Sequence, residues 1–257
     1  MAPLTIAVAG KGGTGKTTIC GMLIRWLIKN GKRPVLAVDA DPNSNLNEVL
    51  GVEAETTLGD IRETMAKAEL NADKVIPAGM TKQEYAEFMF GDALVEDDDF
   101  DLLVMGRTQG KGCYCYVNGV LKSQIEKYMN GYKYMVVDNE AGMEHISRGI
   151  LPQIDILFLV SDCSRRGIQA VGRIKDMVGD LELNPQIMKL IVNRAPGGVA
   201  DSGVLEEIEK QGLDLLGVLP QDDAVYRYDC DGRPSASVPD DNPVKRALDP
   251  LFRECIQ

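Results

Sequence analysis

The sequence lacks any apolar run approaching the ~20 residues that a membrane span requires. No basic leader precedes its first apolar stretch, Met1-Ala-Pro-Leu-Thr-Ile-Ala-Val8. A membrane protein or an exported one is therefore not expected, and a cytoplasmic location is. Basic residues are also short: 28 Lys and Arg stand against 39 Asp and Glu, a formal net charge of −11. A surface that neutralises phosphates needs a surplus of cations, so neither nucleic acid nor an anionic membrane is an expected partner. Six cysteines, at 20, 113, 115, 163, 230 and 255, are too few and too scattered for a secreted disulfide scaffold. A reducing compartment fits them. Internal repeats, low-complexity linkers and composition shifts that would mark a domain boundary are all missing. The one histidine is His145, and packing or hydrogen bonding is its expected role.

What is present is an ordinary globular composition, 44% hydrophobic and 26% charged. A chain of 257 residues buries a full core, and one domain over residues 1–257 is expected. Short apolar runs at Leu4–Ala9, Val35–Asp39, Tyr134–Asn139, Ile154–Val160, Met188–Asn193 and Leu215–Leu219 alternate with amphipathic stretches, the first from about Lys16 to Asn30. Strands apolar on both faces and separated by helices predict an α/β fold. A mostly parallel central sheet would carry helices on both faces. Between Leu46 and Phe100 the periodicity is helical, at Leu58–Ala68 and Thr81–Phe90, with no strand expected. A further strand is expected within Phe100–Gly106 and a helix at Val117–Met129.

The run Gly10-Lys-Gly-Gly-Thr-Gly-Lys16-Thr17-Thr18 matches the phosphate-binding loop G-x-x-x-x-G-K-[ST] and lies between a predicted strand and a predicted helix. Its backbone N–H groups would wrap phosphates, Lys16 would reach the β and γ oxygens, and Thr17 would offer a hydroxyl to Mg²⁺. Gly12, Gly13, Thr14, Gly15 and Thr18 complete the expected nucleotide contacts. Asp39 and Asp41, spaced i, i+2 at the end of the second strand, point to one side, toward the phosphates. At other strand ends stand Asp138, Asn193-Arg194 and Pro220. An Asn amide offers both a donor and an acceptor to a nucleobase.

A second lysine, Lys11, after the first glycine gives the loop the deviant Walker A form. Here the sequence resembles the MinD/ParA/NifH/ArsA branch of P-loop ATPases. The resemblance implies ATP hydrolysis to ADP with Mg²⁺ and a homodimer sandwiching nucleotide. Lys11 would reach the partner's phosphates in the manner of an arginine finger. It further implies that Asp39 supports the Mg²⁺ shell, that Asp41 orients the attacking water and that Asp138 holds Mg²⁺ through water. Gly142 would sense the γ-phosphate, Asn193 and Arg194 would meet adenine, and Pro220 would pack against it. Many members have Thr-Pro where this chain has Asn139-Glu140, a departure in the second switch.

Cys113 and Cys115 stand in Gly110-Lys-Gly-Cys-Tyr-Cys-Tyr116. The spacing admits buried thiols, a disulfide or half of a metal site. In extended chain, side chains at i and i+2 point the same way, so two sulfurs can approach one ion. A two-fold partner would bring two more, and soft thiolates suit Zn²⁺ or Ni²⁺. Gly110 and Gly112 would let the two loops approach. The combination, with Glu140-Ala-Gly-Met-Glu144-His145, resembles the CooC family and the related AcsF proteins. That resemblance implies nickel insertion into apo carbon monoxide dehydrogenase or acetyl-CoA synthase. Two other readings stand beside it: a MinD/ParA-like positioning or signalling ATPase with structural zinc, and an electron-transfer ATPase with a dimer-bridging iron–sulfur cluster. The remaining four cysteines read as small buried hydrophobes.

Overall fold

The computed structural model describes residues 2–41, 43–70, 75–106, 115–139 and 153–257, without the side chains of 69, 70, 115–118, 120 and 121. In chain order its elements are β1 (Leu4–Gly10), α1 (Lys16–Lys29), β2 (Val35–Asp39), α2 (Leu46–Leu50), α3 (Leu58–Leu70), α4 (Lys82–Ala93), β3 (Leu94–Glu96), β4 (Asp101–Val104) and α5 (Cys115–Met129). They continue with β5 (Tyr134–Asp138), β6 (Ile156–Asp162), α6 (Arg165–Asp180), β7 (Ile187–Ala195), α7 (Ser202–Lys210), β8 (Leu215–Pro220), α8 (Asp223–Cys230) and α9 (Pro243–Cys255).

The eight strands form one sheet in the order β3-β4-β2-β5-β1-β6-β7-β8. Only β3 runs antiparallel, against β4. The α/β expectation with a mostly parallel sheet is met. The pattern is read directly from the strands, whose alternate residues enter different cores. Ala7, Ala9, Leu36, Val38, Met135, Val137, Leu157 and Leu159 face one core with α3 to α7. Ile6, Val8, Val35, Ala37, Val136, Phe158 and Val160 face the other with α1, α2 and α9. Burial on both faces is why these strands read as continuous apolar runs rather than alternating ones.

Three expectations need correction. The stretch between Leu46 and Phe100 does contain a strand, β3, whose three residues are too short to show a period. It pairs Leu94 with Leu103 and Glu96 with Asp101, closing the sheet edge. Cys115 does not continue an extended segment, because it is the first residue of α5. Of the four cysteines read as buried, Cys20 and Cys255 are, but Cys163 is half-buried and Cys230 exposed. The helix over Thr81–Phe90 is confirmed as α4, with Thr81 as its cap. The Thr81 hydroxyl accepts from Glu84 N at 3.2 Å and the Glu84 carboxylate accepts from Thr81 N at 2.7 Å, a reciprocal capping box. No helix among the described residues is long and apolar enough to cross a membrane.

Candidate nucleotide and magnesium site

The carboxyl ends of β1, β2, β5, β6 and β7 converge where the chain order reverses about β1, the place where open α/β sheets bind ligands. β1 ends at Gly10, whose Cα faces the Val160 carbonyl of β6 so closely that any side chain would collide with it. The loop then turns through left-handed glycines, Gly13 at φ 80° and Gly15 at φ 90°, before α1 starts at Lys16. The Lys11 carbonyl fastens this turn. It accepts from the Thr14 hydroxyl at 2.9 Å, from Thr14 N at 3.4 Å and from Lys16 Nζ at 3.5 Å. The Lys16 ammonium is thereby held against the loop, and the residue is only 7% exposed. Lys11, Gly12 and Gly13 are exposed.

Asn193 and Arg194 brace the loop from β7, a contact the sequence did not announce. Asn193 Nδ2 donates to the Thr14 carbonyl at 2.9 Å, and its Oδ1 accepts from Arg194 N at 2.9 Å. The Arg194 guanidinium donates to the Gly13 carbonyl at 2.9 Å, from a backbone at φ 56°. A Cβ on Gly15 would lie 2.5 Å from Asn193 Nδ2, so this glycine is needed for the close approach as well as for its φ. The Asn193 amide keeps one N–H and one lone pair uncommitted. It can brace the loop and still meet a base.

Asp39 and Asp138 are register partners on β2 and β5. Asp39 Oδ1 accepts from Asp41 N at 3.0 Å, and Oδ2 accepts from Leu46 N at 2.9 Å, joining the end of β2 to the start of α2. Burial pushes its carboxyl up to about 6, the two amides hold it back, and the Asp41 charge adds to the rise. Asp138 is deeper, 1% exposed, and neither of its oxygens has a partner in hydrogen-bonding geometry among the described residues. Burial pushes it up to about 7, with the Asp39 charge adding and the Thr17 hydroxyl and Lys16 opposing. A buried carboxylate without partners is costly unless a cation answers it. The Thr17 hydroxyl and the Asp138 and Asp39 carboxylates fit Mg²⁺, which keeps several waters and takes one or two carboxylates plus substrate phosphate.

Two grooves meet at Gly15 and Arg194. One is bounded by Thr18, Asn193, Pro220, Asp222 and Tyr226, and the other runs past Lys16 and Thr17 toward Glu48, Val52 and Arg233. Pro220 and Asn193 therefore share a wall of the first groove, as a base site requires. Tyr226 and Asp229 also border it and were not foreseen, since nothing in an isolated helix marks a groove. Asp41 lies beside Asp39, its carboxylate accepting from Asn43 N at 2.9 Å. Cys113, with Gly110, Gly112, Glu140, Gly142, Glu144 and His145, lies outside the described residues, as does the Cys115 side chain.

Comparison with known proteins agrees with this architecture. The family model described as the CobQ/CobB/MinD/ParA nucleotide binding domain matches residues 5–235. An uncharacterized ATP-binding protein of Methanocaldococcus jannaschii is 39% identical, over 98% of each chain. The carbon monoxide dehydrogenase accessory protein CooC of Rhodospirillum rubrum is 31% identical, over 88% of this chain and 87% of its own. In fold, the chain is similar to the septum site-determining protein MinD of Pyrococcus horikoshii, solved with Mg-ADP. The TM-score is 0.70 at 23% identity, covering 100% of this chain and 97% of that one. The phosphate loop and the fold are those of an ATPase, and the chain belongs to the CobQ/CobB/MinD/ParA nucleotide-binding family.

Proposed function

We propose that the protein is an ATP-driven nickel chaperone that matures carbon monoxide dehydrogenase or acetyl-CoA synthase, switching as a nucleotide-bridged homodimer. The observation that carries the reading is the joining of two features in one chain. A phosphate loop is already folded around Lys11 and Lys16, and the sequence carries a C-x-C pair, Cys113 and Cys115, whose second member opens α5. The likeness to CooC supports the client class. Lys16, held against the loop, meets the β- and γ-phosphates, and the N–H groups of Gly12 to Thr18 cradle them. Asn193, Arg194 and Pro220 hold the base. Mg²⁺, held by Thr17 and through water by Asp39 and Asp138, would neutralise the charge on the transferring phosphoryl. Asp41, fixed by its backbone N–H to Asp39, orients the water. Lys11, exposed on the loop, is free to enter a partner's site. In the closed dimer two C-x-C pairs provide four thiolates for one Ni²⁺, and hydrolysis separates them.

A second reading is a MinD-like positioning ATPase, favoured by the similarity of fold. Against a membrane-docking role for α9, that helix directs Val244, Leu248, Phe252 and Cys255 into the core. The test is the double variant Cys113→Ala/Cys115→Ala, assayed for nickel binding and for activation of the apo-dehydrogenase or apo-synthase. Loss of both with ATP hydrolysis retained is expected. Unchanged nickel stoichiometry in the variant would overturn the chaperone reading.

A further inference from the structure

Where the two grooves meet, the nucleotide reading leaves one acid without a task. Of the residues that border the groove of Asn193 and Pro220, four also border the groove running past Lys16 and Thr17. They are Gly15, Thr18, Arg194 and Asp229. A nucleotide lying across both grooves has its sugar at their junction, because the sugar is the covalent link between base and phosphates. Whatever faces the junction faces the ribose.

α8 builds one side of this junction. It starts beside Pro220, where Asp222 Oδ1 caps it by accepting from Ala224 N and Val225 N at 3.0 Å each. The same oxygen accepts from Asn242 Nδ2 at 2.9 Å, so Asp222 is spent on the fold. Val225, Tyr226 and Asp229 stand on the groove side of the helix, as residues three and four apart do. At 1.5 Å rise per residue Asp229 lies ~10 Å along from Asp222. The helix thus leads from the Pro220 wall to the phosphate-loop end of the groove. The other junction residues offer a sugar little. Gly15 has no side chain, Arg194 is a donor already given to the Gly13 carbonyl at 2.9 Å, and Thr18 lies in the first turn of α1, whose N–H groups face phosphate. Asp229 is exposed, and its carboxylate has no hydrogen bond or ion pair among the described residues.

We propose that Asp229 reads the sugar. Its carboxylate accepts from the 2′- and 3′-hydroxyls of the bound nucleotide and makes the site selective for ribonucleotides over their deoxy forms. The assignment rests on the reading that Asn193 and Pro220 hold the base. An ionised carboxylate is acceptor-only with two oxygens, which suits two neighbouring hydroxyl donors. An acid takes the ribose hydroxyls of dinucleotides in the same way. A carboxylate beside a polyphosphate groove that did not bind the sugar would only repel the ligand, and its removal would tighten binding. The two roles therefore predict opposite signs.

Calorimetric titration of the full-length protein in Mg²⁺ with ADP and with 2′,3′-dideoxy-ADP tests the proposal. The parent should bind the dideoxy nucleotide about tenfold more weakly than ADP, as the loss of hydrogen bonds to a charged group requires. Asp229→Ala should bind ADP about tenfold more weakly than the parent and no longer tell the two nucleotides apart. Asp229 is exposed, so the circular dichroism of the variant should match the parent. Equal affinity of the parent for both nucleotides, or ADP binding in Asp229→Ala as tight as in the parent or tighter, would overturn the assignment. Photolabelling of the parent with 8-azido-ADP checks the base separately, and label on the segment from Pro220 to Tyr226 is expected. Label there without sugar discrimination would overturn the role of Asp229 alone. Label elsewhere would overturn the base reading and the assignment with it.

Discussion

At the scale of single residues the site is held together by buried polar groups that need either a brace or a cation. Asp138 is the extreme case, a carboxylate sealed from water and, among the described residues, met by no well-aligned donor, with the Thr17 hydroxyl and Lys16 only partly offsetting its burial. Its pKa of about 7 and that of Asp39, about 6, both lie above the ordinary carboxylate range. The native state therefore holds protons that the unfolded chain gives up above pH ~4. These groups favour folding at low pH and oppose it progressively as pH rises from ~4 through their folded values. Asp138→Asn should then stabilise the nucleotide-free protein by roughly 1–3 kcal/mol at pH 8. The gain should shrink at pH 5, and ATP hydrolysis should be lost. Urea unfolding at the two pH values, with a phosphate-release assay, checks each part. Asn193→Ala removes the side chain that donates to the Thr14 carbonyl and should weaken binding of a fluorescent ADP analogue by about tenfold. The sequence showed Asp39, Asp138 and Lys16 because strand ends and the loop motif mark them. It did not show the Asn193–Thr14 brace, since the two residues are 179 positions apart and meet only when β7 takes its place in the sheet.

Among elements, long and strongly periodic segments were legible and short ones were not. α1 was placed to within a residue because its apolar residues cover nearly its whole surface, and the second strand was found at its observed limits. β3 was missed because three residues carry no period, and its pairing is decided by β4 rather than by its own sequence. α9 carries acids, Asp249 and Glu254, among its apolar residues. In the fold, its Val244, Leu248 and Phe252 recur every fourth residue and lock onto α1 and β6. Phe252 is 1% exposed, between the rings of Trp26 and Phe158. Phe252→Ala should cost ~3–5 kcal/mol, read by thermal or chemical unfolding. The joint of α6 with α7 is electrostatic. The buried Glu207 carboxylate accepts from Arg165 at 3.0 Å and from Gln211 at 2.9 Å. Those bonds, Gln211 first, hold its pKa down to about 2. A lowered carboxylate pKa contributes stability above its unfolded value of ~4.5 that is lost as pH falls toward 2. Glu207→Gln should therefore lower the melting temperature at pH 7, and the difference should narrow in acid.

For the whole molecule, the sheet order places the phosphate loop, both carboxylates and the groove lined by Asn193 and Pro220 at the carboxyl ends of the strands, and leaves Lys11 exposed there. In the proposed dimer, the exposed Lys11 is the residue that would complete the partner's site. The family was legible from one motif with an extra lysine, because backbone-wrapped phosphate binding restricts a short segment so tightly. The proposed cargo rests on the spacing of two thiols, because half of a site shared with a partner cannot be read from one chain. The most direct test of the chaperone account is nickel bound per chain, measured by equilibrium dialysis with the oligomeric state by sedimentation, in Mg²⁺ with ATP and with ADP. The account predicts one Ni²⁺ per two chains in an ATP-bound dimer and its release in ADP. Nickel bound at the same stoichiometry whatever the nucleotide, or to a monomer, would contradict it.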